Sequence, residues 1–233
     1  MRRPWLLCSL LLWACPPEAI LPEPPHLLWS ADAQSLDNPF PDERLFEGGV
    51  ARFRRDWYRP FFPAEREKPE LRGYMNKVAR QAAEEVRAFG NFGTTLLPSS
   101  HALDPASLDG CARRLVREGD GWRMLEADVP VAHSSALLTQ HGLTYPEGWP
   151  EFIAVRPRVP LPEGREGLLV VLRGPKTVDG EALGRGAAHA AAQAPDAAAL
   201  TALGGVRAED VIYFQQLRAG EVSAPLKKLA AWA

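Results

Sequence analysis

At 233 residues the chain is long enough for one domain of ordinary size with extensions, or for two small ones. Apolar residues at 46% and charged residues at 24% match a globular protein with a real core and exclude a disordered chain. A net charge of -2, with both signs spread along the sequence, excludes the basic patch of a nucleic-acid binder and the acidic tail of a chain that recruits cations.

The first element is a targeting segment. Met1-Arg2-Arg3 is a short basic region. Residues 5–14 form an apolar run in the range of a secretory signal core and too short to cross a bilayer. The run ends in Leu12-Trp13-Ala14-Cys15. This resembles the bacterial lipoprotein signal, which places a leucine three residues before a cysteine and a small residue directly before it. Trp13 departs from the small or β-branched residue usual at its position. The resemblance implies cleavage after residue 14, lipidation of Cys15, and attachment to the cell envelope, at the outer membrane on its periplasmic or surface face. The alternative is an ordinary cleaved signal in which Cys15 is incidental. A lipidated Cys15 would leave Cys111 without a partner, so no disulfide framework is expected.

Residues 15–38 are proline-rich and aperiodic, and read as a tether between membrane and fold. Residues 39–90 hold an aromatic segment and a helix. Phe40, Phe46, Phe53, Trp57, Tyr58, Phe61 and Phe62 crowd a proline-bounded stretch. The plain reading is an irregular segment that wraps the domain and pins its rings into the core. The sharper alternative is a binding platform for glycan or lipid, with Trp57, Tyr58 and Phe61 as candidate ligand contacts. Over 69–89, Leu71, Tyr74, Val78, Ala82, Val86 and Phe89 recur at helical steps and predict one core-facing stripe. Pro69 suits the first turn and Gly90 the stop.

After Gly93 the pattern turns to β. The 22 prolines and 19 glycines favour short elements and many turns. Residues 111–118 and 121–129, joined through Gly119-Asp120-Gly121, predict a hairpin. Residues 129–132 extend it or begin a new turn, and residues 152–156 predict a strand ended by Pro157. Residues 167–173, "GLLVVLR", do not alternate, so both faces of that strand are expected to be covered. Residues 211–214 predict a further strand. Asp196 is placed to cap a helix over 197–203, and Ser223 to cap a last helix over 224–232 within a C-terminal segment 220–233. Short strands between proline and glycine turns indicate an antiparallel sandwich.

Three stretches together carry a family resemblance. "FGTTLLPSSHALDPASLDG" (92–110) resembles the opening strand and turn of bacterial Ig-like modules. Residues 152–180 resemble their middle: a strand ending in Arg156-Pro157, then Leu161-Pro162-Glu163-Gly164, an apolar strand, and the turn Asp179-Gly180. "VRAEDVIYFQQLRAGEVSAPLKKL" (206–229) resembles their closing strand and exit helix. In order and spacing the set looks like the N-terminal domain of secreted bacterial lipases and esterases, and "NPFPDERLF" (38–46) looks like a phrase that often begins such lipoproteins. Leu168 stands where a tyrosine is common. The resemblance implies a mainly β fold, an Ig-like antiparallel β-sandwich over 91–219 with an exit helix near 224–232; the helices near 70–89 and 197–203, read from the residues, are additions to the family module. In those lipases catalysis belongs to a following α/β-hydrolase domain with a Gly-x-Ser-x-Gly nucleophile elbow. This sequence contains no such pentapeptide.

The remaining chemistry is sparse. His133-Ser134-Ser135 is the tightest His/Ser cluster, but neighbours on a strand point to opposite faces. His133 and His141 lack metal-ligand spacing. Glu126 and Asp128 would share one strand face, as a pair able to do acid/base work or hold Ca²⁺ or, more plainly, as a solvated strand face. Cys111 reads as a small core residue. No catalytic residue, metal or cofactor is expected. The expectation is a non-catalytic, membrane-anchored envelope lipoprotein, an accessory or binding module for an envelope protein, glycan or lipid. The alternatives are the front end of a lipase or esterase without its hydrolase domain, and a glycan- or lipid-binding surface protein.

Overall fold

A computed structural model describes residues 23–35, 37–40, 42–48, 50–52, 69–85, 93–126, 128–133, 151–192 and 196–220. The chain runs through β1 (Phe46–Glu47), β2 (Val50–Ala51), α1 (Pro69–Glu85), β3 (Thr95–Ser99), β4 (Ala112–Glu118), β5 (Gly121–Met124), β6 (Val129–His133), β7 (Glu151–Arg156), β8 (Glu166–Leu172), α2 (Ala187–Ala192), α3 (Ala197–Ala202) and β9 (Val211–Arg218). The last seven strands form two antiparallel sheets, ordered β3-β7-β6 and β5-β4-β8-β9. That is the immunoglobulin arrangement: one sheet reads B-E-D and the other C′-C-F-G. The mainly β sandwich expected from the sequence is what the chain forms.

The apolar run of β8 explains the layers. Leu169 and Val171 face the other sheet and meet Leu97, Ala132, Ile153, Val155 and Tyr213 in the main core. Leu168 and Val170 point the other way and pack with Ala199 of α3, Leu115 and Phe214. Both faces are therefore dry, as the lack of alternation predicted. Each fully buried Leu or Val is worth about 1.5–3 kcal/mol relative to exposure. Gly167, second in this strand, leaves room for Leu161 to lie across it: a Cβ there would sit 2.8 Å from a Leu161 methyl. Leu161 is held by the corner at 160–164, which carries the chain from β7 in one sheet to β8 in the other. Asp179-Gly180 turns the chain after β8, and Leu183 returns to the core fully buried.

Asp196 caps α3, accepting from the Ala198 amide at 2.8 Å. It also accepts from Trp122 Nε1 at 2.9 Å, which ties α3 to β5. The short helix α2 in the alanine-rich tract was not anticipated. The predicted helix over 224–232, and 86–89 of the first helix, lie outside the described residues.

Three expectations are corrected. Residues 23–38 do not run free over their described part. Leu27 is 1% exposed in the main core and bridges to Ser99, and Phe40 bridges to Leu96. The Leu28 amide donates to the Pro98 carbonyl at 2.8 Å. This strap covers the open edge of β3, where an immunoglobulin domain carries its first strand. Prolines allow the pairing because it is intermittent. Second, Tyr74, expected on the core-facing stripe of α1, is 63% exposed. Third, the strand predicted over 121–129 ends at Met124. Leu125 and Asp128 then turn inward as the chain crosses between sheets, so Glu126 and Asp128 do not share a strand face.

Candidate functional site

The most elaborate cluster of polar and aromatic groups lies where the strap, α2 and β9 meet. Glu23 reaches across to accept the amide of Ala187, the first residue of α2, at 3.1 Å. The Pro25 carbonyl accepts from the Gly184 amide at 2.8 Å. Gly186 allows this contact: a Cβ would lie 2.9 Å from the His26 ring and 3.2 Å from the Leu27 carbonyl oxygen. With its first turn fixed, α2 drives His189 into the fold, where it is 1% exposed.

The His189 ring stacks on Tyr213 at 4.5 Å and 22°, and meets Phe214 and Trp29 edge-on at 5.1 and 6.0 Å. Its Nε2 lies 3.0 Å from the Phe214 carbonyl oxygen. A carbonyl only accepts, so Nε2 carries the proton and the neutral ring presents a lone pair at Nδ1. That Nδ1 is buried with no hydrogen-bond partner. Burial is the main reason the imidazole pKa falls to about 4, and Arg185 and Arg44 push it the same way against the Phe214 carbonyl. The ring is neutral at pH 7. Tyr213 is held neutral by burial as well.

Arg44 anchors the strap side. Its guanidinium lies 4.7 Å over Trp29. It donates to both Asp42 oxygens, to the Ser30 carbonyl at 2.7 Å and to Asn38 Oδ1 at 2.8 Å. This bidentate fork ties Ser30, Asn38 and Asp42 together. On the far side Arg185 lies 5.5 Å over Phe214. The free edge of β9 is thus met by His189 at Phe214 and by Glu43, which accepts from the Arg218 amide at 2.6 Å.

A second polar site lies between the sheets. Arg114 Nε and Asp128 Oδ2 are 3.1 Å apart, with side chains 3% and 1% exposed. Burial raises the carboxyl pKa and lowers that of the guanidinium, and each charge opposes that shift in the other. Cys111 is 4% exposed, and burial pushes its thiol up to about 12, which leaves it inert as a nucleophile. At the surface, Ser100 Oγ lies 2.8 Å from His101 Nδ1. The same hydroxyl is bound to both the amide and the carbonyl of His26, so it serves to pin the strap.

Among the described residues, no group of three or more His, Cys, Asp or Glu is placed to hold a metal ion, and no helix is long and apolar enough to cross a membrane. Cys15, Trp57, Tyr58, Phe61, Ser134, Ser135 and His141 lie outside the described residues. The His133 backbone pairs with Phe152 at the end of β6. Glu126 is exposed and lies 3.5 Å from Arg158, far in character from buried Asp128. Sequence reasoning missed His189 and Arg114. Their signals were present: one imidazole inside "AAHAAA", and an arginine at the inward parity of Ala112, Arg114 and Val116. No protein-family model, curated protein or solved structure matches the chain.

Proposed function

We propose that this chain is a membrane-anchored envelope lipoprotein whose Ig-like sandwich is a non-catalytic accessory or binding module. The observation that carries the reading is the immunoglobulin strand order, built round a core in which the ionisable groups are committed to packing. Arg114 and Asp128 neutralise each other, Cys111 is a filler, and His189 locks α2 to β9. Cys15 is the anchor, at the end of the lipoprotein-like signal. Palmitate labelling of the full chain tests this: label is expected on the wild type and absent from Cys15→Ser. Label that persists in Cys15→Ser would remove the anchor. Trp57, Tyr58 and Phe61 are the contacts proposed for a glycan or lipid; Trp57→Ala should lose such a ligand and keep the fold.

A second reading is the front domain of a secreted lipase or esterase. It is favoured by one observation: the motif series Arg156-Pro157, Leu161 to Gly164, the apolar strand and Asp179-Gly180 falls in order on the end of β7, the inter-sheet corner, β8 and the turn after it. A hydrolase reading frame with Gly-x-Ser-x-Gly beside or continuous with this one would favour it. Ester hydrolysis by the purified chain, abolished in Ser134→Ala or Ser135→Ala, would overturn the non-catalytic reading.

A further inference from the structure

His189 is buried with one nitrogen bonded and the other bare, and it sits at the junction of three segments that are distant in sequence. We propose that His189 is an acid-operated catch: a second proton on its ring parts α2 from β9 and from residues 23–26, while the two sheets stay folded.

The argument is geometric. The neutral ring fits its site because Nε2 donates to Phe214 and Nδ1 needs no acceptor to remain uncharged. A protonated ring carries a donor at Nδ1 and finds no acceptor there. The charged groups around it do not help. From its own lead-in comes Arg185, and from the strap comes Arg44, both cations. Asp42 is held by three bonds from the Arg44 side chain. Glu23 is bound to the Ala187 amide. β9 offers Tyr213, which stays neutral, and Arg218 at its far end. The aromatic faces of Tyr213 and Trp29 attract a cation, but they cannot replace water at Nδ1.

The opening is local because α2 has six residues, too few to stand as a helix without its neighbours. It depends on the bond to Phe214, the Glu23 cap and the fit of Gly186 under His26. Withdrawing the ring removes the first and frees the other two. The ladders of β4, β8 and β9 make no use of the ring. The segment that loosens leads directly toward Cys15, so acid would lengthen the link between sandwich and anchor if that anchor is present. The catch itself does not depend on it.

Residue-resolved hydrogen exchange on the full chain tests this. The reporters are the Gly184 and Ala187 amides, bonded to Pro25 and Glu23. Between pH 7 and pH 5 their protection, corrected for intrinsic rates, should fall about twentyfold, the change set by a ring that titrates near 4 when held and near 6.5 when free. The opening should show little urea dependence, unlike exchange of the Leu115 and Leu169 amides. His189→Gln, which keeps a donor for Phe214 and does not titrate, should lose most of the pH dependence. Should that variant not fold, the His189 ring signal of the wild type is titrated directly and must track the opening. The proposal is overturned if both reporters exchange only with global unfolding, if His189→Gln retains the pH dependence, or if the reporters open while the ring stays neutral.

Discussion

Arg114 and Asp128 meet between the sheets as opposite charges, whereas His189 lies under the strap as a single neutral ring. Both sites leave water almost completely. In the first, each group sets its charge against the burial of the other and depends on a partner contributed by a different strand connection. The second gives up its charge and needs no counterion. The difference teaches that burial alone does not set the outcome. A partner within contact distance works against burial at Arg114 and Asp128, whereas His189, with only cations beside it, is pushed toward its neutral form.

The largest test breaks the pair. Asp128→Ala leaves the Arg114 guanidinium buried and unpaired and should cost about 3–5 kcal/mol by urea unfolding. The joint change Arg114→Met with Asp128→Leu should restore most of it. If the two losses simply add, the charges are not acting as a unit. Next comes acid. His189 has a folded pKa of about 4, below its unfolded value of 6.5, so its contribution is fully present above pH 6.5 and is lost as pH falls toward 4. Wild-type stability should drop by up to about 3 kcal/mol across that window, and His189→Gln should flatten the curve. An equal drop in both proteins would assign the acid sensitivity to other groups. An uncharged yardstick in the same interior is Gly167→Ala, which drives a methyl into Leu161 and should cost about 1–3 kcal/mol. Leu161→Val should recover part of that. The smallest effect is expected at the partly exposed Glu23, where Glu23→Ala removes the cap of α2 at about 0.5–1 kcal/mol. A larger loss there would mean that the strap and α2 are coupled more tightly than one hydrogen bond accounts for.

The sandwich was legible because its rules are local. The non-alternating run 167–173, the Gly119-Asp120 turn and the Asp196 cap each act within a few residues, and each stands where the sequence placed it. Leu27 and Trp29 were read as part of a tether because proline masks the periodicity of a segment that pairs only at scattered positions. His189 carried no readable role, since its partners Trp29, Tyr213 and Phe214 come from two distant segments. Arg114 could be placed on an inward parity, but nothing in the sequence links it to Asp128. Glu126, its near neighbour, is the more obvious carboxylate and belongs to the surface.

The strap has a consequence in time. Glu23 and Pro25 leave the ribosome long before the residues that receive them, and the Glu23 cap closes on a residue 164 positions later. A contact of that span cannot form until β8 has been made and the chain has turned at Leu183. Residues made early are thus among the last to settle, and during that interval Leu27 and Trp29 stand exposed as apolar side chains. Any factor that shelters a nascent chain would meet them before the sandwich does.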